Sequence, residues 1–147
     1  MAAALLVVVL TAVVTIMPWG GKSWLQNAAA AEAQQHARLA MEEMVNELKY
    51  AYRIEVDGER QRLTYYKKRS GSLRRYQIYV SGRQLLLGLP EGTAVPLANH
   101  IETLFLAPNG QLQRGDVLSM TLEVSIASQT ITLRSAVAAK NIAVVVP

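Results

Sequence analysis

Five cations crowd one short stretch of this chain, Lys67, Lys68, Arg69, Arg74 and Arg75, with Tyr65, Tyr66, Tyr76 and Tyr79 around them. Ammonium and guanidinium groups grip phosphates and carboxylates, and tyrosine rings offer faces for stacking. The patch could therefore hold an anionic ligand, DNA included. Binding of that kind weakens steeply with salt, because each neutralised phosphate releases counterions. A solvated β-hairpin accounts for the same residues without a ligand. Alternation alone sends Tyr76, Ile78 and Val80 to one side of a strand and Arg75, Gln77 and Tyr79 to the other. The hairpin is the favoured reading, and DNA is a partner it allows without requiring.

Catalytic chemistry finds less to work with. His36 falls on a helical pattern and His100 just before a strand, and neither has a ligand set beside it in the sequence. Glu102, Asp116 and Glu123 are isolated carboxylates, and there is no glycine-rich phosphate loop or nucleophile elbow. The chain has no cysteine, which removes disulfides and thiolate chemistry and makes zinc sites unlikely candidates. No catalytic, metal-binding or cofactor-binding residue is assigned, no cofactor is implied, and the expected function is not enzymatic.

The elements that must carry the patch follow from composition and period. With 147 residues, 51% of them hydrophobic and 18% charged, the chain is long enough for one domain with a real core. Its net charge of +4 is concentrated between Arg53 and Arg83, where nine Lys or Arg residues face three acids. Residues 1–17 carry no charge, glycine or proline. As a helix they would run about 26 Å, a little short of the ~30 Å hydrocarbon core of a bilayer. Trp19 and Trp24 suit the headgroup level, with Lys22 as the first charge. A cleaved signal peptide is the weaker reading, because no basic residue precedes the apolar run and the alanines 28–31 lie well beyond it.

Residues 1–24 are thus expected to form a transmembrane or filament-core helix, with Leu5, Val8, Val9, Ala12, Val13 and Ile16 supplying its packing surface. Pro18, Gly20 and Gly21 predict a joint after it. Residues 25–52 read as an amphipathic helix, since Ala37, Met41, Met44, Leu48 and Ala51 recur at spacings of three and four. After Tyr52 the period changes to two, and residues 53–147 read as an antiparallel head of six or seven strands, forming one globular domain with residues 25–52. The fold class expected is α+β, a long N-terminal helix packed on an antiparallel sheet.

That layout resembles a type IV prepilin-like protein, and more narrowly PilW-type minor pilins and the minor pseudopilin J of type II secretion. The residues carrying the resemblance are the helix from Ala37 to Ala51, Pro96-Leu97-Ala98-Asn99-His100-Ile101 leading to Leu104-Phe105, and Thr132-Leu133-Arg134-Ser135-Ala136-Val137 leading to Lys140-Asn141. The family's basic leader ending in glycine, the phenylalanine after it and the buried glutamate are not present, and a start upstream of Met1 is the expected explanation. The resemblance implies a pilin-like fold in the cytoplasmic membrane, with a single pass and the C-terminal head outside. It also implies a structural subunit of a type IV pilus, a type II secretion pseudopilus or a DNA-uptake filament. Its partners would be other pilin or pseudopilin subunits and the membrane, with prepilin peptidase a partner only of a longer form. The alternative is a single membrane-tethered binding domain, with DNA as a ligand of the basic hairpin.

Overall fold

The computed structural model describes residues 2–126 and 129–142, and within the first helix it describes side chains at Trp24 and from Asn27 onward. The helix, α1, spans Ala2–Lys49 and passes through Pro18, Gly20 and Gly21 without interruption. The chain divides into two units, Met1–Glu32 and Ala33–Pro147. In the second, the helix turns its stripe inward: Ala37, Met44 and Leu48 are fully buried, and Met41 nearly so. Ala33, Ala37 and Ala40 keep that stripe small along its first turns, and the bulkier Met44 and Leu48 fill the core further on.

Beyond the helix the chain reverses repeatedly. β1 (Arg53–Asp57), β2 (Arg62–Arg69), β3 (Ser72–Ser81), β4 (Gln84–Gly88) and β5 (Ala94–Asn99) are followed by β6 (Ile101–Ala107), β7 (Gly110–Gln111), β8 (Leu118–Ile126) and β9 (Gln129–Val137). Among the described residues these strands make two antiparallel sheets, one in the order β5-β4-β3-β2-β1-β7 and one in the order β6-β8-β9. The β2–β3 hairpin closes through Ser70 and Gly71, both at positive φ (51° and 84°). Two such residues form the turn whose twist matches that of the strands it joins. Its register sets Tyr65 opposite Tyr76, and their rings stack at 5.3 Å.

The core lies where both sheets and the last turns of α1 meet. Ile54, Leu63, Tyr65 and Ile78 enter it from the larger sheet, and Leu118, Met120, Leu122 and Val124 enter at every second position of β8. Each such side chain, fully removed from water, contributes about 1.5–3 kcal/mol before ordering costs. His100 is the single residue between β5 and β6, the strands at which the chain passes from one sheet to the other. It sits at φ 63°, a conformation that histidine tolerates better than most residues. Its carbonyl accepts a hydrogen bond from Ser125 N at 2.9 Å, so this histidine does backbone work at the junction.

The expected α+β architecture, a long N-terminal helix packed on one antiparallel head, is corrected by this arrangement. The folded body is mostly strand, in two antiparallel sheets, and the helix it contains is short, running from Ala33 to Lys49. Apolar periodicity shows which side of a helix can be buried. It does not show how far the body that buries it extends.

β5 contains Pro96, which a sheet accepts at its edge because no inward ladder bond is lost there, and β5 is an edge strand. Leu5, Val8, Val9, Ala12, Val13 and Ile16, and with them the expected membrane segment, lie outside the described side chains. Among the described residues no helix is long and apolar enough to cross a membrane.

Candidate functional site

The β2–β3 hairpin carries the basic cluster, and its register divides that cluster. Lys67 pairs with Arg74 and Tyr66 with Arg75, so alternation gives Lys67, Arg69 and Arg74 the side of the core-facing Tyr65. Lys68 and Arg75 share the opposite face with Tyr66 and Tyr79. Five cations contiguous in sequence therefore do not converge on one point.

Lys67 is already engaged. Its ammonium lies 2.9 Å from Glu47 Oε1, and the Tyr65 hydroxyl donates to Glu47 Oε2, also at 2.9 Å. This ties the last turns of α1 to β2. Burial pushes the Tyr65 phenol well above its ordinary pKa, and the negative charge of Glu47 and the hydrogen bond to it push the same way. Glu47 reads locally as one more charge on the helix's wet face. Its role depends on Tyr65 and Lys67 arriving from 18 and 20 residues away, which no local pattern announces.

On the opposite face the tyrosines carry cations of their own. The Arg53 guanidinium stands 5.6 Å from the centre of the Tyr66 ring, and that of Arg62 stands 5.5 Å from Tyr79. Arg53 also pairs with Glu55, and Arg62 Nε is buried without a hydrogen-bond partner among the described residues. A base stacking here would first have to displace an arginine. At the hairpin tip Lys68 and Arg69 are exposed; Arg74 comes within 4.0 Å of Glu91, and Arg75 has no ion pair among the described residues.

Beside a space of about 450 Å³ where Arg75 and Gln77 meet Glu55, Asp57 and Glu59, two more cavities flank the hairpin among the described residues. One of about 360 Å³ is lined by Lys67, Lys68, Arg69, Glu47, Tyr76, Leu87 and Leu89. The other, about 550 Å³, opens between β3 and the β4–β5 loop and takes in Arg74, Arg75, Gln77, Tyr79 and Gly88. Gly88, at the end of the apolar run from Gln84, was missed in the sequence; a glycine in such a run is itself a signal of close approach.

The isolated acids have partners within the fold. Asp116 Oδ2 accepts from Gln113 N at 2.8 Å, Glu102 pairs with Arg83 at 3.7 Å, and Glu123 accepts from the Thr103 hydroxyl. His36 is exposed on α1. Among the described residues no group of three or more His, Cys, Asp or Glu is placed to hold a metal ion. No protein-family model, no curated protein and no solved structure matches this chain.

Proposed function

We propose that the protein is a structural subunit of an extracytoplasmic filament, of the minor pilin or pseudopilin class. Residues 1–24 hold it in the cytoplasmic membrane and later pack against other subunits, while the body beginning at Ala33 stands outside as the head. The observation that carries this reading is the uncharged run of residues 1–17, which leads without a cleavable linker into a helix whose later stripe, Ala37 to Leu48, is buried in the head. A lipid-compatible surface of Leu5, Val8, Val9, Ala12, Val13 and Ile16 suits both bilayer and subunit packing, because both reward close apolar contact.

Photo-crosslinkers at Val9 and Val13, in protein expressed from its own locus, test the proposal. Adducts with other prepilin-like subunits, lost when filament assembly is blocked, are expected. Adducts with lipid alone would leave the protein a membrane-tethered domain acting singly.

A further inference from the structure

Gly88 is a glycine that the unliganded protein does not need. It pairs with Gln77 on one side and Ala94 on the other, and it does not hold a left-handed backbone conformation. A Cβ at this position would meet Tyr79 Cε1 at 3.5 Å and the Gln77 side chain and backbone at 3.6 Å, which is ordinary contact. Neither φ nor crowding asks for glycine, and a glycine in a strand costs about 0.5–1 kcal/mol against alanine. Its bare backbone lines the 550 Å³ cavity. Glycine in a strand often marks a place where a ligand comes close to the backbone.

The walls suit one class of ligand. Arg75 brings a guanidinium with no ion pair among the described residues, whereas Arg74, sent by the register to the other face of the strand, lies 4.0 Å from Glu91. The Gln77 amide and Thr93 add polar groups, and Tyr79 turns a ring edge toward Gly88. The far wall is preformed: Leu89 N donates to Thr93 O at 2.8 Å and Gly92 N to Leu89 O at 3.0 Å, closing the loop on itself. A volume of about 550 Å³ falls within the 300–1,000 Å³ typical of small-molecule sites.

We infer that this cavity binds a small organic anion built on a ring, its carboxylate or phosphate on Arg75 and its ring over Gly88 beside Tyr79. The inference does not depend on the filament reading, since a subunit or a tethered domain could present the same pocket.

Isothermal calorimetry on the purified full-length chain tests it, with glucuronate as the carboxylate probe, a deoxynucleoside monophosphate as the phosphate probe and glucose as the neutral control. At least one anionic probe binds and glucose does not; which one binds identifies the acid, and binding of both assigns selection to charge alone. Gly88→Val fills the floor and Arg75→Ala removes the free guanidinium, and each weakens binding at least tenfold. Arg134→Ala, an exposed cation on β9, leaves it unchanged. The melting temperature of Gly88→Val, unchanged or raised, separates a filled pocket from a broken strand. The inference is overturned if neither anion binds up to about 10 mM, a range that covers even a weak millimolar site. Undiminished binding to Gly88→Val overturns it equally.

Discussion

Removing the Glu47 carboxylate should unfasten the helix from the sheet. Its two oxygens serve Tyr65 and Lys67, each at 2.9 Å, and the two partners differ in what they lose. Tyr65 is fully buried, so Glu47→Ala takes away the acceptor of its hydroxyl, at a cost of about 1–3 kcal/mol. Lys67 keeps about a third of its side chain exposed and can return its charge to solvent, so losing that ion pair adds only about 0.5 kcal/mol. The variant is expected to lose about 1.5–3.5 kcal/mol, roughly 5–14 °C in melting temperature for a body of this size. Glu47→Gln keeps an acceptor for Tyr65 and should lose about 1 kcal/mol.

Near-UV circular dichroism of the whole chain reports the transition, since the stacked Tyr65–Tyr76 pair contributes to the signal. The discriminating step is a double-mutant cycle with Tyr65→Phe, which removes the hydroxyl that Glu47→Ala leaves orphaned. The double variant should therefore be more stable than the two single losses sum to, by about 1 kcal/mol. The pH dependence carries an independent sign. The phenol's pKa is raised on folding, so the folded state holds its proton more tightly than the unfolded one. That stabilisation is complete below an unfolded pKa of about 10 and is lost as pH rises beyond it. Tyr65→Phe should flatten this part of the alkaline decline. Additive losses, or the same alkaline decline in Tyr65→Phe, would refute the account of the cluster.

Three further outcomes are expected. Met44→Asp or Leu48→Asp places a charge where no water reaches, and each should cost several kcal/mol by thermal unfolding, whereas Glu42→Ala on the exposed side should stay within about 0.5 kcal/mol. Gly58→Ala sets a Cβ 2.6 Å from Asn109 Oδ1 and 3.3 Å from Leu106 O, displacing the Asn109 side chain that accepts from Gly58 N, so urea unfolding should show a loss of about 1–2 kcal/mol. Charge reversal at Lys68 and Arg69 should leave the melting curve unchanged, while Lys67→Glu, facing Glu47, should lower it; salt-sensitive DNA binding abolished by the Lys68 and Arg69 reversals would instead restore DNA as the ligand of the hairpin.

What could be read from the sequence was local. The positive-φ pair at Ser70 and Gly71 and the alternation from Leu118 to Val124 are short-range patterns, and they mark a turn and a half-buried strand wherever they occur. Asp57-Gly58 is a local turn signal, yet the left-handed residue of this turn is Gln61, at φ 50°, and Gly58 is needed because Asn109 approaches from 51 residues away. The split into two sheets left no local mark. It passes through His100, a lone non-glycine residue whose backbone conformation is supported by a hydrogen bond from Ser125. The long packed helix was overdrawn because a stripe of alanine and methionine repeats equally well over a core and beyond its edge.

The basic cluster fails in the same way, and the reason bears on function. Cations adjacent in sequence suggest one strong electrostatic site only if their side chains converge, and a strand sends neighbours to opposite faces. Register gives Lys67 to Glu47, leaves Lys68 and Arg69 in water, and brings Arg75 to the face that holds Gln77 and Gly88. The number of cations therefore overstates how tightly the hairpin can hold a polyanion. A single cation beside a shaped cavity can be the more selective arrangement, because a small anion there gains contact with the walls as well as charge. The place to look for a ligand on this head is thus where the cluster thins out, at Arg75, and not at its densest point.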